Sequence, residues 1–211
     1  NNLKSYLIEQ LQLELPGKIA HQEAAPYRKV DYDKLDLFNV KHSGVLVLFY
    51  QKENEPHIVL IQRPEYDGTH SGQIAFPGGK IEETDIDIVH TALREANEEV
   101  GILMNDVEVI GKLSDVYIPV SNYLVTPVIG FINYTPQFIP EEREVAEIIE
   151  LKLELLSKTE QLILNKIKLS SGMVLNVPTF EFHQKIVWGA TALMLNELRY
   201  ILRKTNYFFH S

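Results

Sequence analysis

Apolar residues are spaced along the chain so that they predict two terminal helices around a series of strands. Helical spacing of apolar positions predicts an amphipathic helix over residues 3–14. The continuous apolar run 44–50 predicts a buried strand, and residues 57–61 predict its hairpin partner. Residues 188–204 return to helical spacing. Between the hairpin and this last helix, further strands are predicted at 107–113, 124–132, 162–169, 173–177 and 180–187.

The segment between the first helix and the first strand carries turn residues rather than a periodic pattern. Pro16, Gly17 and Pro26 interrupt residues 15–29, so we expect a linker without regular structure there. The 211 residues contain no internal repeat or low-complexity tract. We therefore expect one domain over residues 1–211, with the first helix and the linker occupying residues 1–37.

The segment from Gly78 to Gly101 has the strongest helical pattern of the chain. Thr84 and Asp87 have the spacing of a capping box, which predicts where a helix begins. Gly101 stands where a left-handed residue commonly ends a helix. Between these ends, apolar residues at helical spacing predict a stripe that packs on a core, formed by Val89, Leu93, Ala96 and Val100.

Three carboxylates share one face of this predicted helix. Residues three and four apart lie on the same side of an α-helix, so Glu95, Glu98 and Glu99 project within one arc. Acid-rich helix faces are usually solvated surface, but this arc borders the apolar stripe, and no basic residue lies four positions downstream. Clustered carboxylate oxygens suit Mg²⁺ or Mn²⁺, which keep coordination sites open for substrate phosphates. The pattern favours a metal-dependent enzyme that acts on a diphosphate.

The same segment resembles the Nudix box. The matching positions are Gly79, Arg94, Glu95, Glu98, Glu99, Gly101 and Ile102, with Ala96 in the aliphatic position. Asp85 occupies the position of the first glutamate, and eight residues rather than seven separate it from Arg94. This longer spacing resembles the coenzyme A pyrophosphatase branch of the Nudix family.

Residues before the box resemble the same branch. The chain keeps the signature positions Arg63, Gly72, Phe76, Pro77, Gly78 and Gly79. It departs from the signature at Ile61, Pro64 and Gly68, which replace a threonine, a small residue and a second arginine. On this resemblance, we expect the substrate to be bound by Arg63, His70, Gly78, Gly79 and Lys80.

The resemblance implies a fold and a reaction. The fold is a Nudix α/β/α sandwich with a mixed, mostly antiparallel β-sheet, in which residues 78–102 form a loop, a helix and a second loop. The reaction is hydrolysis of coenzyme A or a derivative to 3′,5′-adenosine bisphosphate and 4′-phosphopantetheine. The substrate is thus a small nucleoside diphosphate derivative.

The resemblance also implies roles for the residues of the box. Glu95, Glu98 and Glu99 would bind Mg²⁺ or Mn²⁺, and Arg94 would brace a glutamate rather than contact the substrate. The general base in this family is either a box glutamate or a glutamate on a later loop. Glu98 and Glu144, which precedes Val145 and Ala146, are therefore both candidates, and the sequence leaves the choice open.

Composition limits the partners of the chain. Its 29 acidic and 20 basic residues give a net charge of −9, which argues against binding to nucleic acid. No apolar run approaches the roughly 20 residues that span a bilayer, so we expect no membrane insertion. The absence of cysteine excludes disulfides and thiol chemistry and fits a cytoplasmic location. A homodimer is compatible with the chain, because edge strands and an aromatic terminus need cover, namely Tyr207, Phe208 and Phe209.

Two other functions stay open. The departures at Pro64 and Gly68 favour a different Nudix substrate, such as ADP-ribose, a dinucleoside polyphosphate or a nucleotide sugar. The more distant alternative is a noncatalytic module that senses a nucleotide. Three mutually repelling acids would be unnecessary for that role.

Overall fold

The protein contains both α-helices and β-strands. The computed structural model describes residues 2–28, 30–36, 38–65, 71–169 and 172–204. The α-helices in these ranges are α1 Asn2–Gln10, α2 Gly17–Ala24, α3 Ile88–Val100, α4 Leu153–Lys158 and α5 Gly189–Arg203. The strands are β1 Lys41–Lys52, β2 Glu55–Gln62, β3 Ile74–Ala75, β4 Gly78–Lys80, β5 Glu108–Lys112, β6 Val116–Ile118, β7 Tyr123–Phe131, β8 Glu147–Lys152, β9 Ile163–Lys168, β10 Val174–Phe182 and β11 Lys185–Val187. Within the described ranges, no helix has the length and apolarity that crossing a bilayer requires.

The main sheet is mixed and mostly antiparallel, which confirms the predicted fold class. Its strand order is β3–β2–β1–β7–β5, and β4, β6 and β8 add to β1, β7 and β2 respectively. The pairing of β1 with β7 is parallel, and the other pairings of this sheet are antiparallel. A second, three-stranded antiparallel sheet has the order β11–β10–β9.

Strand β1 lies between two hydrophobic cores because successive side chains point to opposite faces of a sheet. Val47 and Phe49 belong to the core that α1, α5 and β10 also form. Leu46, Leu48 and Tyr50 belong to the core beneath α3. Burial on both faces explains why this strand is a continuous apolar run in the sequence.

Residues 173–187 form two strands, but the break between them lies at a different point from the one we predicted. We expected strands over 173–177 and 180–187, but β10 runs unbroken from Val174 to Phe182, with Pro178 opposite Leu164. The break comes later, at His183 and Gln184, whose φ angles of 49° and 65° form a tight turn. Polar residues adopt this left-handed conformation more readily than apolar ones. His183 and Gln184 were therefore a better signal for the turn than Pro178.

The expectation of an unstructured linker over residues 15–29 is wrong, because α2 lies within it. This helix presents the small buried residues Ala20 and Ala24, four positions apart, toward α5. The side-chain amide of Asn196 on α5 donates a hydrogen bond of 2.7 Å to the Ala20 carbonyl. Tertiary packing thus stabilises a helix that is too short to form alone.

Helix α3 lies directly on the backbone of β1. A Cβ atom at Gly44 would be 2.5 Å from the Ile88 carbonyl oxygen and 3.1 Å from the Ala92 nitrogen. The start of this helix differs from the prediction, since Asp87 rather than Thr84 is the N-cap, and its side chain accepts from the His90 N–H at 2.8 Å. Residues 82–85 form a turn instead, because Asp85 turns its carboxylate toward Arg94.

We predict that Gly44→Ala destabilises the protein by about 2 kcal/mol, because the added methyl group forces α3 away from β1. Urea-induced unfolding measures this change. Gly172→Ala is the matched control: its Cβ would meet no atom within 4 Å, although its φ of 82° still imposes strain of about 1 kcal/mol. Equal losses in the two variants would contradict the close packing of α3.

Candidate metal centre

The carboxylates of Glu95 and Glu99 lie on the side of α3 that faces β4. The Gly78 N–H donates a hydrogen bond of 2.8 Å to Oε2 of Glu99. A Cβ atom at Gly79 would lie 2.3 Å from the carboxyl carbon of Glu95. Gly79 therefore lets the strand backbone approach the Glu95 carboxylate more closely than any other residue type would allow, while Gly78 supplies the N–H that binds Glu99.

A later loop brings a third carboxylate, that of Glu144, to the same place. The N–H groups of Ile139 and Glu141 donate to the carbonyls of Val100 and Glu99, each at 3.0 Å. These bonds satisfy carbonyl groups at the end of α3 that have no partner within the helix. The loop then turns and buries Val145 in the core beneath α3, which leaves Glu144 beside the helix.

Glu95, Glu99 and Glu144 form a three-carboxylate group. One oxygen atom from each lies within 4.8 Å of the other two. Oε1 of Glu99 is buried without a hydrogen-bond partner, and the Glu99 residue is only 1% exposed. Among the described residues, the cation that contacts it is the Arg63 guanidinium, whose Nη2 is 3.7 Å away, too far for a hydrogen bond. An all-oxygen set with an unsatisfied buried carboxylate fits a hard divalent cation.

Burial changes the acidity of two members of this group. Burial is the main cause that raises the pKa of Glu99 to about 7, and the Gly78 hydrogen bond opposes it. Burial likewise raises the pKa of Glu95, while neighbouring Arg94 lowers it. Both shifts express the free energy needed to keep a carboxylate charged away from water. A bound cation would offset that penalty.

Arg94 holds the acidic side of α3 in place from outside the group. Its Nε and Nη2 atoms donate to the two oxygens of Asp85 at 2.9 Å each, a bidentate contact. Its Nη1 donates to Glu95 at 3.0 Å and to Glu98 at 3.1 Å. The Arg94 hydrogen bonds are the main reason that the pKa of Asp85 lies well below its usual range. Arg94 therefore connects Asp85 to Glu95 and Glu98 through charged hydrogen bonds.

Asp85 has a structural role that the sequence did not reveal. Its side chain is shielded from solvent and also binds His90 Nδ1 at 2.8 Å and the Thr91 hydroxyl at 3.0 Å. The signal was present as an acid aligned with the first glutamate of the box, followed by polar residues on the first turn of α3. Asp85 thus ties the loop before α3 to the arginine that orders the site.

The remaining predicted site residues lie at different distances from the group. Glu98 is outside it: its side chain is 55% exposed and is held by Arg94. Lys80 is exposed, and its carbonyl accepts from Arg94 Nη2 at 3.2 Å. His70, predicted to bind substrate, lies outside the described residues, as does Gly68. Arg63 lies beside Glu99, and its contact with phosphate stays a prediction.

Sequence comparison gives the family of the chain. The NUDIX domain family matches residues 40–167, a range that contains the three-carboxylate group, Arg63 and Arg94. A protein of Pectobacterium atrosepticum named "Uncharacterized Nudix hydrolase NudL" is 38% identical over 146 residues, which cover 68% of this chain and 73% of the relative. A protein of the same name from Enterobacter is 35% identical over 166 residues, covering 77% and 83%.

Solved structures share the fold. The Nudix hydrolase RenU of M. smegmatis superposes with a TM-score of 0.54 at 16% identity, over 77% of this chain and 86% of that chain. A MutT/nudix family protein of Enterococcus faecalis has a TM-score of 0.50 at 16% identity, over 93% and 72%. These likenesses concern the arrangement of helices and strands alone.

We predict that Glu99→Gln stabilises the metal-free protein by about 2 kcal/mol at pH 8. The folded chain binds a proton at Glu99 that the unfolded chain releases between the ordinary pKa of 4.5 and about 7, so stability falls as the pH rises through this range. Glutamine keeps an acceptor for Gly78 without the charge. Thermal unfolding at pH 5 and pH 8 measures the effect, which should shrink at pH 5.

The same variant tests whether the group binds metal. Adding MgCl₂ or MnCl₂ should raise the Tm of the wild-type chain, because a ligand that binds only the folded state stabilises it. Glu99→Gln should lose most of that rise. A variant less stable than wild type at pH 8 without metal, or an undiminished response to metal, would contradict the assignment.

Proposed function

The chain belongs to the Nudix family of hydrolases that act on nucleoside diphosphate derivatives, and from this premise we propose that it cleaves the diphosphate of coenzyme A or a derivative. The products are 3′,5′-adenosine bisphosphate and 4′-phosphopantetheine. The observation that carries the proposal is the three-carboxylate group around the unpartnered, buried oxygen of Glu99. Family members generally use divalent metal ions, and we propose Mg²⁺ or Mn²⁺ here.

Two features support coenzyme A over other diphosphates. Eight residues separate Asp85 from Arg94, the longer spacing that resembles the coenzyme A branch. Ile86 and the N-cap Asp87 lie between Asp85 and the first residue of α3, Ile88. Arg63, a signature position of that branch, lies 3.7 Å from Glu99 at the edge of the carboxylate group.

In the proposed reaction, different residues bind the metal and accept the proton. We propose that Glu95 and Glu99 hold the metal, with Glu98 as an exposed contributor through water. A bound divalent cation would neutralise phosphate charge and lower the pKa of an attacking water. Arg94 fixes the direction of Glu95 through its bidentate contact with Asp85. Water adds to one phosphorus atom, and the bridging oxygen leaves with the other phosphate.

We propose Glu144 as the general base that takes the proton from the attacking water. Its carboxylate is exposed and lies within 4.8 Å of Glu95 and Glu99, where the attacking water would be held. Glu98 is the second candidate, but Arg94 engages its carboxylate at 3.1 Å. This contact occupies one of the two Glu98 oxygens that could accept the proton of a water.

Hydrolysis of a substrate panel tests the proposal. With Mg²⁺ or Mn²⁺, coenzyme A should be cleaved to the two stated products, while ADP-ribose, a dinucleoside polyphosphate and a nucleotide sugar should be slower substrates. Glu95→Gln and Glu99→Gln should each lower kcat by about a hundredfold or more, with unchanged far-ultraviolet circular dichroism. Rapid ADP-ribose cleavage without coenzyme A cleavage would refute the substrate. Full activity in both variants would refute the metal assignment.

Comparison of two substitutions identifies the base. We predict that Glu144→Gln lowers kcat by about 10²- to 10⁴-fold. Glu98→Gln should have a smaller effect on kcat. If Glu98→Gln instead causes the larger loss of kcat, then Glu98 is the base.

Three broader expectations remain predictions. They are the single domain over residues 1–211, a cytoplasmic location and the homodimer. The residues invoked for the dimer at the carboxyl terminus, 207–209, lie outside the described residues.

A further inference from the structure

We propose that Arg143 is a substrate-binding residue, which together with Arg63 grips the phosphoryl group that lies away from the metal ligands. This inference rests on the proposed function and refines it. It assigns the cleft beside Glu144 to an anionic group of the substrate. It also adds a specificity determinant outside the Nudix box.

The cleft lies next to the three-carboxylate group. Arg63, Pro64, Arg143 and Glu144 line it, and it opens to solvent. Glu144 is common to the cleft and to the carboxylate group, and Arg63 is 3.7 Å from Glu99. An anion in the cleft would therefore lie beside the carboxylates.

Backbone hydrogen bonds fix both walls of the cleft. On the loop side, the N–H groups of Glu144 and Val145 donate to the Glu141 carbonyl at 3.0 and 2.8 Å. On the sheet side, the Arg63 N–H donates to Gln73 at 2.9 Å. The Ala146 N–H joins the two walls by donating to the Gln62 carbonyl at 2.9 Å. Ordering these walls before binding reduces the entropy that a ligand must overcome.

Both arginines retain their capacity to bind an anion. Among the described residues, the side chain of Arg143 has no ion pair, and that of Arg63 has only the 3.7 Å contact with Glu99. By contrast, Arg94 makes charged hydrogen bonds to three carboxylates. Guanidinium groups bind phosphate through paired hydrogen bonds, which suits them to this role.

Binding of α,β-methylene-ADP tests the proposal without turnover, since this nucleoside diphosphate cannot be hydrolysed at its bridge. Isothermal titration calorimetry with Mg²⁺ compares the wild-type chain of residues 1–211 with Arg143→Gln and Arg143→Lys. We expect Arg143→Gln to weaken binding about 10- to 100-fold, the range for loss of a charged hydrogen bond. Arg143→Lys should restore part of the affinity, because the charge remains but the paired geometry is lost.

Two controls separate phosphate binding from other effects. Lys112→Gln removes the same charge on β5, at the opposite edge of the main sheet, and should bind like wild type. Titration of Mn²⁺ alone should give the same affinity for wild type and Arg143→Gln. If Arg143→Gln weakened Mn²⁺ binding as much as nucleotide binding, Arg143 would act by positioning Glu144, and the proposal would be overturned.

The remaining outcomes are also decisive. Affinity of Arg143→Gln for α,β-methylene-ADP within about twofold of wild type would overturn the proposal, as would a wild-type chain that does not bind this ligand. A wild-type chain that binds it through Arg143, yet cleaves no substrate, would support the cleft assignment and refute the hydrolase function. The two hypotheses therefore fail separately.

Discussion

The contact of α3 with the backbone of β1 and β4 positions the rest of the site. Glycine at position 44 lets the helix lie against one strand, and Gly79 lets the next strand approach Glu95. The Gly78 N–H then anchors Glu99 at 2.8 Å. A side chain at position 44 would move the helix relative to β1, and one at position 79 would displace the Glu95 carboxylate.

The charged groups around this contact differ in whether they have partners. Arg94 and Asp85 form a bidentate pair on one side of α3, which fixes Glu95 without neutralising Glu99. Glu99 remains buried and without a partner for Oε1, a state that opposes folding. Natural proteins keep such unfavourable groups where function requires them. A bound cation would offset the free-energy cost of burying the Glu99 carboxylate. The proposed metal site and the packing of α3 therefore depend on the same residue.

Local patterns predicted most of the elements that build the site. The apolar run of β1 and the apolar stripe on α3 could be predicted because buried positions carry apolar side chains. Gly101, with φ of 75°, ends α3 as its sequence position predicted. The start of α3 was less predictable, because Asp85 resembled an early helical residue but forms a bidentate pair with Arg94 across the preceding turn.

Long-range pairings could not be predicted from local patterns. Glu144 was a candidate only because it precedes Val145 and Ala146, and its position beside α3 depends on backbone bonds to the Glu99 and Val100 carbonyls. Nothing in the spacing of residues 139–145 specifies those acceptors. Helix α2 was missed for a similar reason, since its stability comes from packing on α5 rather than from its own sequence.

The turn between β4 and α3 has a consequence for how this motif tolerates changes of length. Because Asp85 precedes the N-cap Asp87, a residue inserted between them leaves every position on α3 at its original angle. One inserted within α3 would instead rotate everything beyond it by about 100° and turn the downstream acids away from β4. The site therefore tolerates a change of length before the N-cap but not within α3.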